Sequence, residues 1–194
     1  MLRAMDVLDA LDASAERVVK LVGQVGPEQW DSPTPCTEWN VRTLVGHLIV
    51  GMQGYSELLK GGSAAEYVSM FGRQGEAAGS DPVAACESAV RSARAASAEP
   101  GALERTVHHP IGDFPARRWL VIRIAENVVH SWDLATAIGV DLGLDEQLAG
   151  IAYEYFAPRA KDGALYSTGL FATPTRPLPE DATLLEQLVH LAGR

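Results

Sequence analysis

Glu126 and His130 stand four residues apart in a segment with helical patterning. At that spacing both side chains leave one helix face about one turn apart, where a single ion can be shared. The same spacing also suits an exposed pair or a cap contact, so the surroundings decide. Trp119, Ile122, Val129 and Leu134 flank the pair and few charges follow Arg123, so the strip is expected to point inward. An ionised glutamate in a helical core is costly without a partner, and a divalent cation offsets that cost while also accepting an imidazole nitrogen. The competing reading pairs Glu126 with Arg117, Arg118 or Arg123 and leaves His130 as an ordinary core histidine.

His47 lies in an earlier apolar-periodic segment, beside Leu44 and Leu48, with Gly51 and Gly54 following on its own side. Each glycine costs about 1 kcal/mol in a helix relative to alanine. Together they flatten the surface next to His47 for a ligand or for another helix. If His47 meets Glu126 and His130, the set is two imidazoles and one carboxylate, as in open catalytic zinc sites that keep water in the remaining position. Ni²⁺ or non-haem Fe²⁺ also fits such a set. Asp133, on the same side as His130, is placed either to accept the other ring proton of that histidine or to stand as a surface acid. His108 and His109 precede Pro110 in a turn-like stretch and His190 is near the last residue, positions where histidine is usually solvated. Cys36 sits among prolines with no basic neighbour in sequence, which favours a structural role over a reactive or ligating one.

The elements that must position these groups follow from periodicity and punctuation. Apolar residues recur at helical steps from Asp6 to Val25, and Gly26-Pro27 end that helix. A proline-rich loop then delivers Trp30 and Trp39 to a second helix, capped by Thr37 and running to Lys60 before Gly61-Gly62. Residues 63–80 read as a connection with a short helix around Ala65 to Phe71. Asp81-Pro82 starts a third long helix reaching Ala98, and a short extended pair is expected around Ile111 to Asp113. Pro115 opens the fourth long helix, which ends at Ile138 before Gly139. Asp145 caps a short helix through Tyr155, and a proline-rich strap leads to a last one from about Asp181 to Leu191. The expected fold is all-α, a four-helix bundle with short extra C-terminal helices; bundles build metal sites from facing helices.

Composition narrows the partners. A chain of 194 residues fits one domain, spanning 1–194, with a bundle core over 1–140 and an extension over 141–194. The formal charge of −9 repels nucleic-acid phosphates and anionic lipid, so neither nucleic acid nor membrane is expected. Two cysteines fifty positions apart, without Cys-x-x-Cys spacing, suggest no disulfide framework and a reducing cytoplasmic setting. Asp6, Asp9 and Asp12 interrupt the apolar run a secretory signal would need. Homodimerisation through a bundle face stays open.

The runs TPCTEWNVRTLVGHL at Thr34 to Leu48 and ENVVHSWDLATAIG at Glu126 to Gly139 resemble the mycothiol-dependent maleylpyruvate isomerase family, one of the DinB-like metal-binding bundles. The closing segment from Phe171 is similar to endings of short actinobacterial members. The resemblance implies a bundle of DinB-like type, a metal on His47, Glu126 and His130 that is typically zinc, and mycothiol as co-substrate. The isomerase resembles a bundle plus a separate C-terminal domain that contributes to the active site, and the stretch after residue 140 is short by comparison. Thiol activation at the metal is thus implied more directly than isomerisation. The function expected is a metal-dependent thiol transferase or isomerase acting on a small electrophile. Its rivals are a non-catalytic metal or small-ligand module and a metal-free helical interaction protein.

Overall fold

The computed structural model describes residues 5–167, 169 and 171–194. Four long helices form its centre: α1 (Val7–Val22), α2 (Val41–Leu59), α5 (Pro82–Ser97) and α6 (Ala116–Ile138). Helices α1 and α2 each pack on both α5 and α6, so the four close into a ring around one core. Two short helices, α3 (Ala64–Phe71) and α4 (Gln74–Ala77), link α2 to α5 and pack on α2. After α6 come α7 (Glu146–Lys161), which packs on α6, and α8 (Leu184–Leu191), which packs on α7. Among the described residues, no helix is long and apolar enough to cross a membrane.

Local chemistry sets the ends. Asp6 accepts a hydrogen bond from the Leu8 amide at 2.9 Å and so caps α1. Asn40, not Thr37, caps α2, because its Oδ1 accepts from both the amide and the hydroxyl of Thr43, at 2.9 and 2.8 Å. The preceding loop is held by the Thr34 hydroxyl, which donates to the Trp39 carbonyl at 2.8 Å. Helix α7 outruns its expected end at Tyr155: Phe156 is buried, and Arg159 stacks 3.8 Å from the Tyr155 ring, which carries the helix past Pro158. Helix α8 starts later than Asp181, at a reciprocal cap between Thr183 and Glu186. The extended pair is a full hairpin, β1 (Thr106–His109) antiparallel to β2 (Gly112–Pro115), with Val107 opposite Phe114 and Ile111 exposed in its turn.

Helix α6 is the element on which the site depends. Because α1 and α2 cover one side and α7 another, most of it is buried, including Arg123, Asn127, His130, Ser131 and Asp133. Buried polar side chains need partners. Asn127 donates to the Ser14 hydroxyl on α1 at 3.1 Å.

Candidate metal centre

His47, in the second turn of α2, faces Glu126 and His130 on α6. One carboxylate oxygen is common to both contacts: Glu126 Oε2 lies 3.5 Å from His47 Nε2 and 3.3 Å from His130 Nε2. One donor atom from each of the three residues lies within 4.8 Å of the others. Two donors on one zinc ion at about 2.1 Å and tetrahedral angles would stand about 3.4 Å apart, so the spacings fit a shared ion. Both ring nitrogens of His47 are buried without a hydrogen-bond partner. Buried polar atoms rarely stay unsatisfied, and an ion would relieve one of them.

The charges agree with a cation site. Burial drives His47 down to about 4, with the nearby His130 adding to the effect and Glu126 only partly opposing it. Burial alone would raise Glu126, but the imidazoles of His130 and His47 beside it hold its carboxyl well below the usual range. For His130, burial lowers the value, yet Asp133, Cys36 and Glu126 together outweigh it and hold the imidazolium well above the ordinary value. Burial thus favours the neutral form of His47, while the carboxylates beside His130 favour its imidazolium.

Asp133 is no surface acid. It is fully buried, its Oδ2 is 3.0 Å from His130 Nδ1, and Arg194 donates to it through Nε at 2.7 Å and Nη2 at 3.0 Å. This fixes the His130 ring so that Nε2 is the atom turned to Glu126 and His47. Asp133→Asn is expected to lower metal affinity by about 10- to 100-fold, measured by competition with a chromophoric chelator.

Arg194 carries no local sequence signal, yet it closes the site. Gly193 takes φ 76° and packs so tightly on the Ala172 backbone that a Cβ there would overlap it. That turn sends the Arg194 guanidinium to Asp133 and also to Cys36 Sγ, at 2.9 Å. Cys36 thus has a basic neighbour, contrary to the sequence expectation, and its thiol donates to Asp133 Oδ2 at 3.1 Å. Cys36, His130 and Asp133 also form a group with metal-ligand spacing. Arg194 already supplies a cation there, and Cys36 lies on the Nδ1 side of the His130 ring, 3.8 Å away.

The three converging residues open onto a cavity of about 490 Å³, bounded also by Cys36, Trp39 and Phe171. That volume suits a small ligand. The Trp39 ring lies 4.5 Å from that of His47, and Phe71 lies 5.3 Å from it on another side. Arg117 and Arg118 are exposed at the start of α6, and Glu126 has no arginine ion pair among the described residues. His108 pairs with Asp113 on the hairpin at 2.9 Å and His109 packs on Trp119, so neither joins the cluster.

Residues 11–135 match the family described as the mycothiol maleylpyruvate isomerase N-terminal domain. The uncharacterized proteins Rv0738 and MT0763, from two Mycobacterium tuberculosis strains, are each 29% identical over 191 residues, covering 98% of this chain and 98% of theirs. A crystal structure of mycothiol-dependent maleylpyruvate isomerase superposes with a TM-score of 0.66 at 15% identity, over 84% of this chain and 73% of that one. A histidine-to-alanine mutant of that isomerase gives 0.65 at 14% over the same shares. Identity this low establishes a common fold. The family match runs from α1 through most of α6 and takes in His47, Glu126 and His130, so the chain belongs to the mycothiol maleylpyruvate isomerase N-terminal domain family.

Proposed function

We propose that this protein is a metal-dependent thiol transferase or isomerase that uses mycothiol, with zinc held by His47, Glu126 and His130. The observation that carries this reading is the carboxylate oxygen shared by two imidazoles of facing helices at the wall of a ligand-sized cavity. The thiol comes from the family and from the mycothiol-dependent isomerase whose fold the chain shares. Two imidazoles and a carboxylate favour zinc, and Ni²⁺ or Fe²⁺ are the alternatives that elemental analysis would separate.

A divalent cation in this position supplies positive charge that favours the thiolate form of an incoming thiol. The chain's own residues do the rest. Asp133 accepts a hydrogen bond from His130 Nδ1–H and so holds the ring with Nε2 turned to the ion. Trp39 and Phe171 wall the approach with apolar surface against which a small electrophile can be held away from water. We place this activity in a cytoplasmic protein acting as one unit over 1–194, where Cys36 and Cys86 remain thiols.

Metal uptake should depend on pH in a defined direction. The raised value of His130 means that its Nε2 proton must leave before that nitrogen can bind, whereas His47 is already neutral above about 4. Apparent affinity therefore rises with pH through the neutral range and flattens once metal-free His130 has lost its proton. About one proton is released per metal bound near neutrality; calorimetry in buffers of different ionisation enthalpy measures it. Thiol binding is tested by titrating the cobalt-substituted protein with mycothiol and following the thiolate-to-cobalt charge-transfer absorption. A saturable band at one thiol per cobalt is expected, and its absence from fully loaded protein would contradict the proposal.

A further inference from the structure

Arg123 is 1% exposed, one turn before Glu126 on α6, yet its guanidinium makes no ion pair among the described residues. Its Nε and Nη2 are buried without hydrogen-bond partners. The site is shaped to take it, for a Cβ on Gly51 of α2 would overlap the guanidinium, with the central carbon only 2.8 Å away. Gly51 therefore gives up helix propensity to seat a cation that the fold does not neutralise. An unpaired buried charge of this kind works against stability, and an apolar side chain of similar length would serve the core as well or better.

Charge accounting shows what it does instead. Asp133 and Arg194 cancel in a bidentate pair. Arg123 offsets Glu126 without an ion pair to it, and an imidazole that ligates through its lone pair adds no charge. A dication held by His47, Glu126 and His130 would thus keep its full positive charge, facing the cavity. We propose that Arg123 is a positioning residue that holds the metal site electropositive and so sets its preference for anionic ligands, thiolates first, over neutral ones. This inference rests on the metal–thiol reading above and names the ligand class of that same site.

The test uses the full chain as wild type, Arg123→Met and Arg123→Lys, with N-acetylcysteine as the thiol probe on the cobalt-loaded forms and thermal melting on the metal-free forms. Arg123→Met is expected to bind cobalt as tightly as wild type or more tightly, because a like charge has been removed. It should bind the thiol about tenfold more weakly or worse, as the loss of a unit charge at close range implies. Arg123→Lys, which keeps the charge, should recover most of that affinity. The metal-free Arg123→Met protein should melt at the same temperature as wild type or higher. If Arg123→Met melts lower and its thiol affinity is unchanged, Arg123 is a structural residue and the inference is overturned while the metal–thiol reading stands. If loaded wild type binds no thiol, the metal–thiol reading fails and this one falls with it.

Discussion

His130→Ala should lower metal affinity by more than about 100-fold, beyond the range that the hydrogen-bond partners of a metal ligand are worth. The loss has two parts. The Nε2 donor disappears, and Asp133 loses the imidazole that shares it with Arg194. The remaining pair, His47 Nε2 and Glu126 Oε2, spans 3.5 Å and offers an ion only two protein donors. Elemental analysis of chelator-free preparations reads the outcome: wild type carries about one equivalent, and the variant loses most of it. His47→Ala should behave alike, and the circular dichroism of both should stay helical, because His47 lies at the cavity wall and His130 is one residue of a long helix. Retention of full metal by either variant would remove that residue from the site.

Gly46→Ala is the substitution expected to cost most stability. A Cβ on Gly46 would overlap the carbonyl oxygen of Gln74 and come within 2.7 Å of its carbon. Both atoms are backbone, so no rotamer change relieves the clash, and α4 must retreat from α2. Overpacking of this kind costs about 3 kcal/mol at its upper end, which for a chain of this size lowers Tm by about 6–12 °C. Gly75→Ala, with nothing within 4 Å of its Cβ position, serves as the control and should be neutral or slightly stabilising. Denaturation of the metal-free proteins separates the two, and equal stability for both variants would show that α4 is not pressed on α2 at Gly46.

Much of the site was legible in sequence because its geometry is local. A helix places Glu126 and His130 on one face wherever it sits, and the apolar flanks of that strip foretold its burial. Gly51 and Gly54 signalled a close approach, which the structure resolves as Arg123 lying on one and the Tyr67 ring on the other. What sequence reasoning missed is long-range. Arg194 reaches Asp133 and Cys36 only because α8 packs on α7 and Gly193 turns the chain back toward Ala172, and no periodicity encodes that path. Cys36 looked isolated from basic groups for the same reason. Element ends shifted where two caps competed: Thr37 and Asn40 both precede α2, and the side chain that reaches the Thr43 amide wins. Helix α7 outlasts its pattern because tertiary burial of Phe156 outweighs the local cost of Pro158.

Anomalous diffraction at the absorption edge of the bound metal tests the centre most directly, since it locates the ion without assuming its ligands. One peak is expected per chain, about 2.1 Å from His47 Nε2, Glu126 Oε2 and His130 Nε2, on the cavity side. A peak instead between Cys36 and Asp133, or none in crystals soaked with zinc at neutral pH, would contradict it.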